Sequence, residues 1–97
     1  MQRFFLERRI RDLHLRLLRA REELAVIDEQ LAVVSDAAED ARIRSLVSET
    51  PLATHEYGEV RRHADAMARA RLALMATIED LQRRRDDLLE RAGNRSR

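Results

Sequence analysis

Residues 6–41 read LERRIRDLHLRLLRAREELAVIDEQLAVVSDAAEDA, and this stretch decides the fold. Steps of four and three residues alternate from its first leucine, and every position they reach is apolar. These positions are Leu6, Ile10, Leu13, Leu17, Ala20, Leu24, Ile27, Leu31, Val34, Ala38 and Ala41. A mean period of 3.5 residues is typical of heptad positions a and d, the seam along which two helices of a coiled coil pack. The pattern predicts a long helix whose seam lies against a partner helix.

The residues around Pro51 predict a turn at residues 48–50. No Pro or Gly precedes Pro51, so nothing interrupts a first helix over about residues 3–47. Thr50 suits the N-cap of a second helix, and Pro51 suits its first position, where the missing N–H has no cost. One alternative stays open. Asp36 and Glu39 have the spacing of a capping box, which would divide the first helix near Ser35.

The second helix is predicted over about residues 51–92, with residues 93–97 as a frayed tail after Gly93. It has a seam of its own, made of Ala53, Tyr57, Val60, Ala64, Met67, Arg71, Leu74, Ile78, Leu81, Arg85, Leu88 and Ala92. We expect the two seam arginines to bury their stems and to direct their guanidinium groups to an acid or to the solvent edge. The predicted fold is therefore all-α, a single domain over residues 1–97 forming a long antiparallel two-helix coiled-coil hairpin.

The first helix is also apolar away from its seam. A helix that is apolar on two sides is usually buried on two sides. We therefore expect a homodimer, formed by packing two hairpins into a four-helix bundle; a helix from another protein or a lone hairpin is the alternative. Within this surface Val26, Val33, Leu72 and Met75 are expected to form one apolar patch. The predicted interface residues are Phe4, Phe5, Leu18, Val26, Val33, Leu72 and Met75.

The net charge of +1 conceals an uneven distribution. Residues 1–21 hold seven arginines and two acids, and residues 83–97 hold six arginines and three acids. Antiparallel pairing brings these two segments together, and a basic cluster of this kind can neutralise phosphates. The same arginines also fit ion pairs on solvated helix faces. The predicted nucleic-acid-binding residues are Arg8, Arg9, Arg16, Arg19, Arg83 and Arg84.

Several kinds of chemistry have little support in the sequence. The absence of Cys excludes disulfides and thiolate chemistry, and no apolar run is long enough for a signal peptide or a membrane span. His55, Glu59 and His63 share one helix face, as metal ligands can, but exposed polar residues explain the row better. No phosphate-binding loop or nucleophile–base arrangement occurs. We expect no metal, no cofactor, no small-molecule substrate and no enzymatic activity, in a soluble cytoplasmic protein.

The leading functional prediction is a structural or adaptor protein that self-associates and docks to a larger partner. The alternative is a nucleic-acid-binding or ribosome-binding module that uses the arginine-rich end of the hairpin. No motif in the sequence identifies a known protein family.

Overall fold

A computed structural model describes residues 2–95, and the side chains of residues 3–94. This part of the chain is all-α and contains two helices, α1 (Gln2–Ser48) and α2 (Pro51–Arg95), with no strand. The all-α prediction is confirmed. Helix α1 passes through Ser35 without a break, whereas α2 runs three residues beyond the predicted end at Ala92. Ser96 and Arg97, the end of the predicted tail, lie outside the described residues.

The turn consists of Glu49 and Thr50, one residue fewer than the sequence predicts. Glu49 adopts a left-handed conformation, with φ of 53°, and its N–H donates to the carbonyl oxygen of Ser45 at 3.1 Å. This closes the last turn of α1 in the way that a left-handed residue commonly ends a helix. Thr50 Oγ1 accepts a hydrogen bond from the N–H of Ala53 at 3.2 Å, which confirms Thr50 as the N-cap of α2.

The chain divides into two compact units, each containing a segment of both helices. Unit 1 comprises residues 1–24 and 74–97, and unit 2 comprises residues 25–73. Between residues 3 and 41 of α1, the eleven predicted seam side chains are buried or half-buried, and every other side chain is exposed. The period of 3.5 residues therefore identifies the buried side of this helix in both units. Within the described residues, neither helix has an apolar stretch of the length required to cross a bilayer.

Unit 1 has a well-packed core of aliphatic side chains. Leu17 is completely buried at its centre, and four half-buried residues, Ile10, Leu24, Leu74 and Ala92, pack around the core. The buried members are Leu6, Leu13, Leu17, Ala20, Ile78, Leu81 and Leu88. Leucine and isoleucine on both helices supply enough apolar area to exclude water from this seam.

Unit 2 has a much thinner core, in which Ala41 is the one buried residue among the described side chains. The rest of its seam is half-buried on α1 (Ile27, Leu31, Val34 and Ala38) and on α2 (Ala53, Tyr57, Val60, Ala64, Met67 and Arg71). The many alanines and the charged arginine at seam positions give the two helices little apolar area to bury against each other. The seam of unit 2 therefore stays partly open to solvent.

Candidate binding surfaces

Six of the seven predicted interface residues are exposed. Phe4, Phe5 and Leu18 lie on unit 1, and Val26, Val33 and Leu72 lie on unit 2, where Val33 is 70% exposed. Met75 is half-buried. The two phenylalanine rings contact each other edge to face, with centroids 5.9 Å apart. Apolar side chains are thus available on both units.

An open groove of about 630 Å³ lies on unit 2 between the two helices. Its lining is Glu29, Gln30, Val33 and Val34 of α1, with His63 and Met67 of α2. Val34 and Met67 belong to the partly open seam, so the groove exposes the edge of the core itself. Val33 is the one predicted interface residue that lines it. The groove was not predicted from the sequence, although the small seam residues of α2 are the signal that could have indicated it.

Four arginines of unit 1 surround two adjoining depressions between the helices. One depression is lined by Arg9, Leu13, Arg84, Asp87, Leu88 and Arg91. The other is lined by Arg9, Asp12, Leu13, Arg16 and Arg84. We call Arg9, Arg16, Arg84 and Arg91 the arginine edge. All four occupy heptad position g, the residue before an a position, and this shared register is the reason that they meet.

The structure separates the six arginines that are predicted from the sequence to bind nucleic acid. Arg9, Arg16 and Arg84 belong to the arginine edge, whereas Arg8 lines a separate depression with Phe4, Glu7, Arg11 and Asp12. Neither Arg19 nor Arg83 lines any of these depressions. Sequence reasoning missed Arg91, which follows Arg84 by one heptad and could have been found from that spacing.

The arginine edge is poorly neutralised by acids. Arg84 Nη1 lies 3.7 Å from Asp80 Oδ2, and the same aspartate is 4.0 Å from Arg83. Among the residues whose side chains are described, no carboxylate lies within 4.0 Å of Arg9, Arg16 or Arg91. Asp12 and Asp87 line the depressions without reaching that distance. Arg9, Arg16 and Arg91 therefore carry positive charges that no described carboxylate neutralises at ion-pair distance.

The two seam arginines differ in their partners. In unit 2, Arg71 Nε donates to Asp28 Oδ1 of the other helix at 2.5 Å, and its side chain is 35% exposed. In unit 1, Arg85 pairs with the adjacent Asp86 at 3.2 Å. Both guanidinium groups thus reach an acid at the solvent edge, as the sequence predicts for seam arginines.

Glu39 and Arg42, one turn apart on α1, form a two-point hydrogen bond at 3.0 and 2.6 Å. This hydrogen bond lowers the pKa of Glu39 and raises the pKa of Arg42. The Arg42 and Glu39 side chains are 45% and 57% exposed, so water screens the pair and it contributes little to stability.

The histidine row of α2 separates into two environments. His55 Nε2 lies 3.7 Å from Glu59 Oε1, whereas His63 lines the groove of unit 2. Within the described part of the chain, no three His, Cys, Asp or Glu residues are grouped in a way that could hold a metal ion.

These features define a class of protein: an all-α two-helix hairpin with a partly open seam in one unit and an arginine-lined edge in the other. No protein-family model, curated protein or solved structure matches the chain.

Proposed function

We propose that this chain is a non-enzymatic structural or adaptor protein that acts through self-association, and that two copies pair through the groove of unit 2. The observation that carries this proposal is the partly open seam. Positions a and d normally form the driest part of a coiled coil. In unit 2 the predicted seam positions other than Ala41 are only half-buried, and a partner helix laid along the groove would complete their burial.

The second copy supplies a suitable partner helix in its own α1. Val26 and Val33 are one heptad apart, and both occupy position c, beside the g positions that border the groove. An isologous contact places the same surface of each copy against the other. A two-fold axis near Glu29 and Gln30 would set Val26 of one copy opposite Val33 of the other. Each valine of one copy would then lie against the groove edge of the other.

This arrangement revises the single patch expected from the sequence. Positions c and g lie on one side of an a/d seam, and positions b and e lie on the other. Val26 and Val33 are c residues, whereas Leu72 is a b residue. In an antiparallel helix pair, the g positions of one helix adjoin the g positions of the other. The groove of unit 2 lies on this g side, so Leu72, at position b, faces away from it. We therefore place the dimer contact on the side of Val33 and leave Leu72 outside it.

The antiparallel α1 pairing about Glu29 and Gln30 also sets residues of unit 1 in one copy opposite residues of unit 2 in the other, for example Leu24 opposite Ser35, and charge favours this alignment. Unit 1 contains thirteen arginines and nine acids, and unit 2 contains six arginines and nine acids. Opposite net charge on two surfaces steers them together and disfavours alternative pairings. The dimer would be the form that docks to a larger partner.

Sedimentation equilibrium of the full chain tests the proposal directly. We expect a concentration-dependent monomer–dimer equilibrium in the micromolar range, with helicity by circular dichroism rising as the dimer forms. A chain that is monomeric and fully helical at micromolar concentrations would contradict the proposal, because the seam of unit 2 would then need no partner.

A further inference from the structure

We infer that the arginine edge of unit 1 is a binding site for the sugar–phosphate backbone of a double-stranded nucleic acid. The site consists of Arg9 and Arg16 on α1 and Arg84 and Arg91 on α2, arranged around the two depressions between the helices. Every residue of the site lies in unit 1.

The arginine edge is electrostatically unfavourable for the pairing of α1 with α2. Residues that flank the seam of a coiled coil commonly form ion pairs between the helices, and these select the partner and its orientation. Here two g positions on each helix, those of the arginine edge, are arginines that line the same depressions, so like charges face one another across this part of the seam. The leucine-rich core of unit 1 contains seven of the eight buried residues among the described side chains and can offset this repulsion. An arrangement that is locally unfavourable to the fold, with no compensating structural gain, is common at functional surfaces.

The spacing of the four arginines suits a row of backbone phosphates. Arg9 and Arg16 are seven residues apart, as are Arg84 and Arg91, which corresponds to about 10.5 Å along each helix. Packed helices have axes about 8–10 Å apart, so the four guanidinium groups span a surface of about 10 Å in each direction. Duplex DNA carries one negative charge per roughly 1.7 Å of its axis. Several phosphates therefore fall within reach of the four arginines at once.

The side-chain chemistry favours a duplex over a single strand. Proteins that bind single strands without sequence preference stack bases on aromatic side chains. The two depressions contain leucines and aspartates beside the arginines, and no aromatic residue lines either of them. Guanidinium groups bind phosphate oxygens well in two-point geometry. The site therefore suits phosphates on a rigid backbone, with no sequence readout.

The test is a salt titration of binding to a fluorescein-labelled duplex DNA, followed by fluorescence anisotropy. Four neutralised phosphates predict a slope of log K against log [salt] of about −3.6, which is roughly a 150-fold loss of affinity between 50 and 200 mM salt. The double variant Arg9→Gln/Arg91→Gln should reduce the magnitude of this slope by about 1.8. Arg9→Lys/Arg91→Lys, which keeps the charge, should restore most of the slope.

The matched control is Arg8→Gln/Arg83→Gln. It removes the same charge from the same unit, one residue from each helix, but at f positions outside the arginine edge. We expect its slope to stay close to that of the unchanged chain. Circular dichroism should show that each variant keeps its helicity.

Any of the following binding results would overturn the inference: no binding to duplex at 50 mM salt, an equal loss in the control, a tighter complex with single-stranded DNA, or an arginine-dependent preference for anionic lipid vesicles. Binding of duplex RNA as tightly as duplex DNA would support it, because both backbones present phosphates.

Sedimentation equilibrium of Arg9→Gln/Arg91→Gln tests whether the arginine edge is instead a contact between copies. Conversion of a dimer to monomers would identify the edge as a contact between copies and would also overturn the inference.

Discussion

Arg71 Nε and Asp28 Oδ1 lie 2.5 Å apart and join α2 to α1 across the open seam of unit 2. Arg71 occupies an a position, where an apolar residue is usual, and Asp28 occupies the e position beside the seam. The two side chains are 35% and 46% exposed, so water still reaches the pair. Such a pair fixes the register of the two helices more than it stabilises them, because partly solvated ion pairs contribute about 0–1 kcal/mol.

Replacing Arg71 with Leu should leave the thermal stability unchanged or raise it. The leucine adds apolar area at a seam position, whereas Asp28 remains exposed enough to be solvated without a partner. Thermal denaturation followed by circular dichroism measures the effect, and Asp28→Asn is the companion variant that removes the charge from the other side. A drop in the melting temperature of Arg71→Leu by more than a few degrees would show that the ion pair stabilises unit 2 strongly, contrary to this expectation.

Leu17 should be among the most sensitive positions to truncation, because it is 0% exposed in the core of unit 1. Leu17→Ala removes buried apolar atoms and leaves a cavity, and such changes typically cost about 2–5 kcal/mol. The control is Leu15→Ala, two residues away on the same helix, where the side chain is exposed and the expected change is within about 0.5 kcal/mol. Urea denaturation gives both values. Similar losses for the two variants would mean that the seam is misassigned.

The sequence predicted the fold well because its signal is periodic and long. Eleven successive a and d positions are apolar and identify the buried side of α1. Thr50 and Pro51 identify the start of α2. The left-handed conformation of Glu49 was missed, since no glycine or asparagine marks it. Helix α2 continues through Gly93, where the sequence predicts a stop, because propensity alone is a weak guide at helix ends.

The binding surfaces were harder to predict because they depend on which positions of two helices adjoin. A list of basic residues places Arg19 and Arg83 beside Arg9, whereas their heptad positions separate them in the structure. The groove of unit 2 depends on how much of Val34 and Met67 the small seam residues leave exposed. This degree of exposure follows from packing and cannot be read from periodicity.

The pKa of Glu39 should depend on Arg42. The side-chain hydrogen bond from Arg42 holds the carboxylate below its ordinary pKa of 4.5. A lowered folded pKa means that the pair contributes stability above the unfolded value, and that this contribution is lost as the pH falls through the folded value. A carbon-13 NMR titration of the Glu39 carboxyl group measures the midpoint. We expect Arg42→Gln to raise it toward the ordinary value. Arg44→Gln, which removes a nearby charge that makes no ion pair with Glu39, should leave it unchanged; equal shifts in both variants would contradict the assignment.

The proposed dimer contact requires a control that matches it in charge and exposure. Leu46 and Leu72 provide one, because both lie in unit 2, both are about as exposed as Val33, and both occupy b positions. The double variant Leu46→Glu/Leu72→Glu adds two charges to the side of unit 2 that faces away from the groove. It therefore reproduces the charge of a groove-side variant without altering the proposed contact.

Val26→Glu together with Val33→Glu should convert dimers to monomers and lower the helicity of the chain. Burying a valine fully is worth about 1.5–3 kcal/mol, and two-fold symmetry places four of these valines in the contact, so four buried carboxylates would oppose association strongly. Helicity should fall because the half-buried seam of unit 2 then loses the helix that covers it. Sedimentation equilibrium gives the oligomeric state, and circular dichroism at 222 nm gives the helicity. The Leu46→Glu/Leu72→Glu control should remain dimeric. If the control dissociates while the valine variant stays dimeric, the contact lies on the opposite side of unit 2 and the groove assignment is wrong.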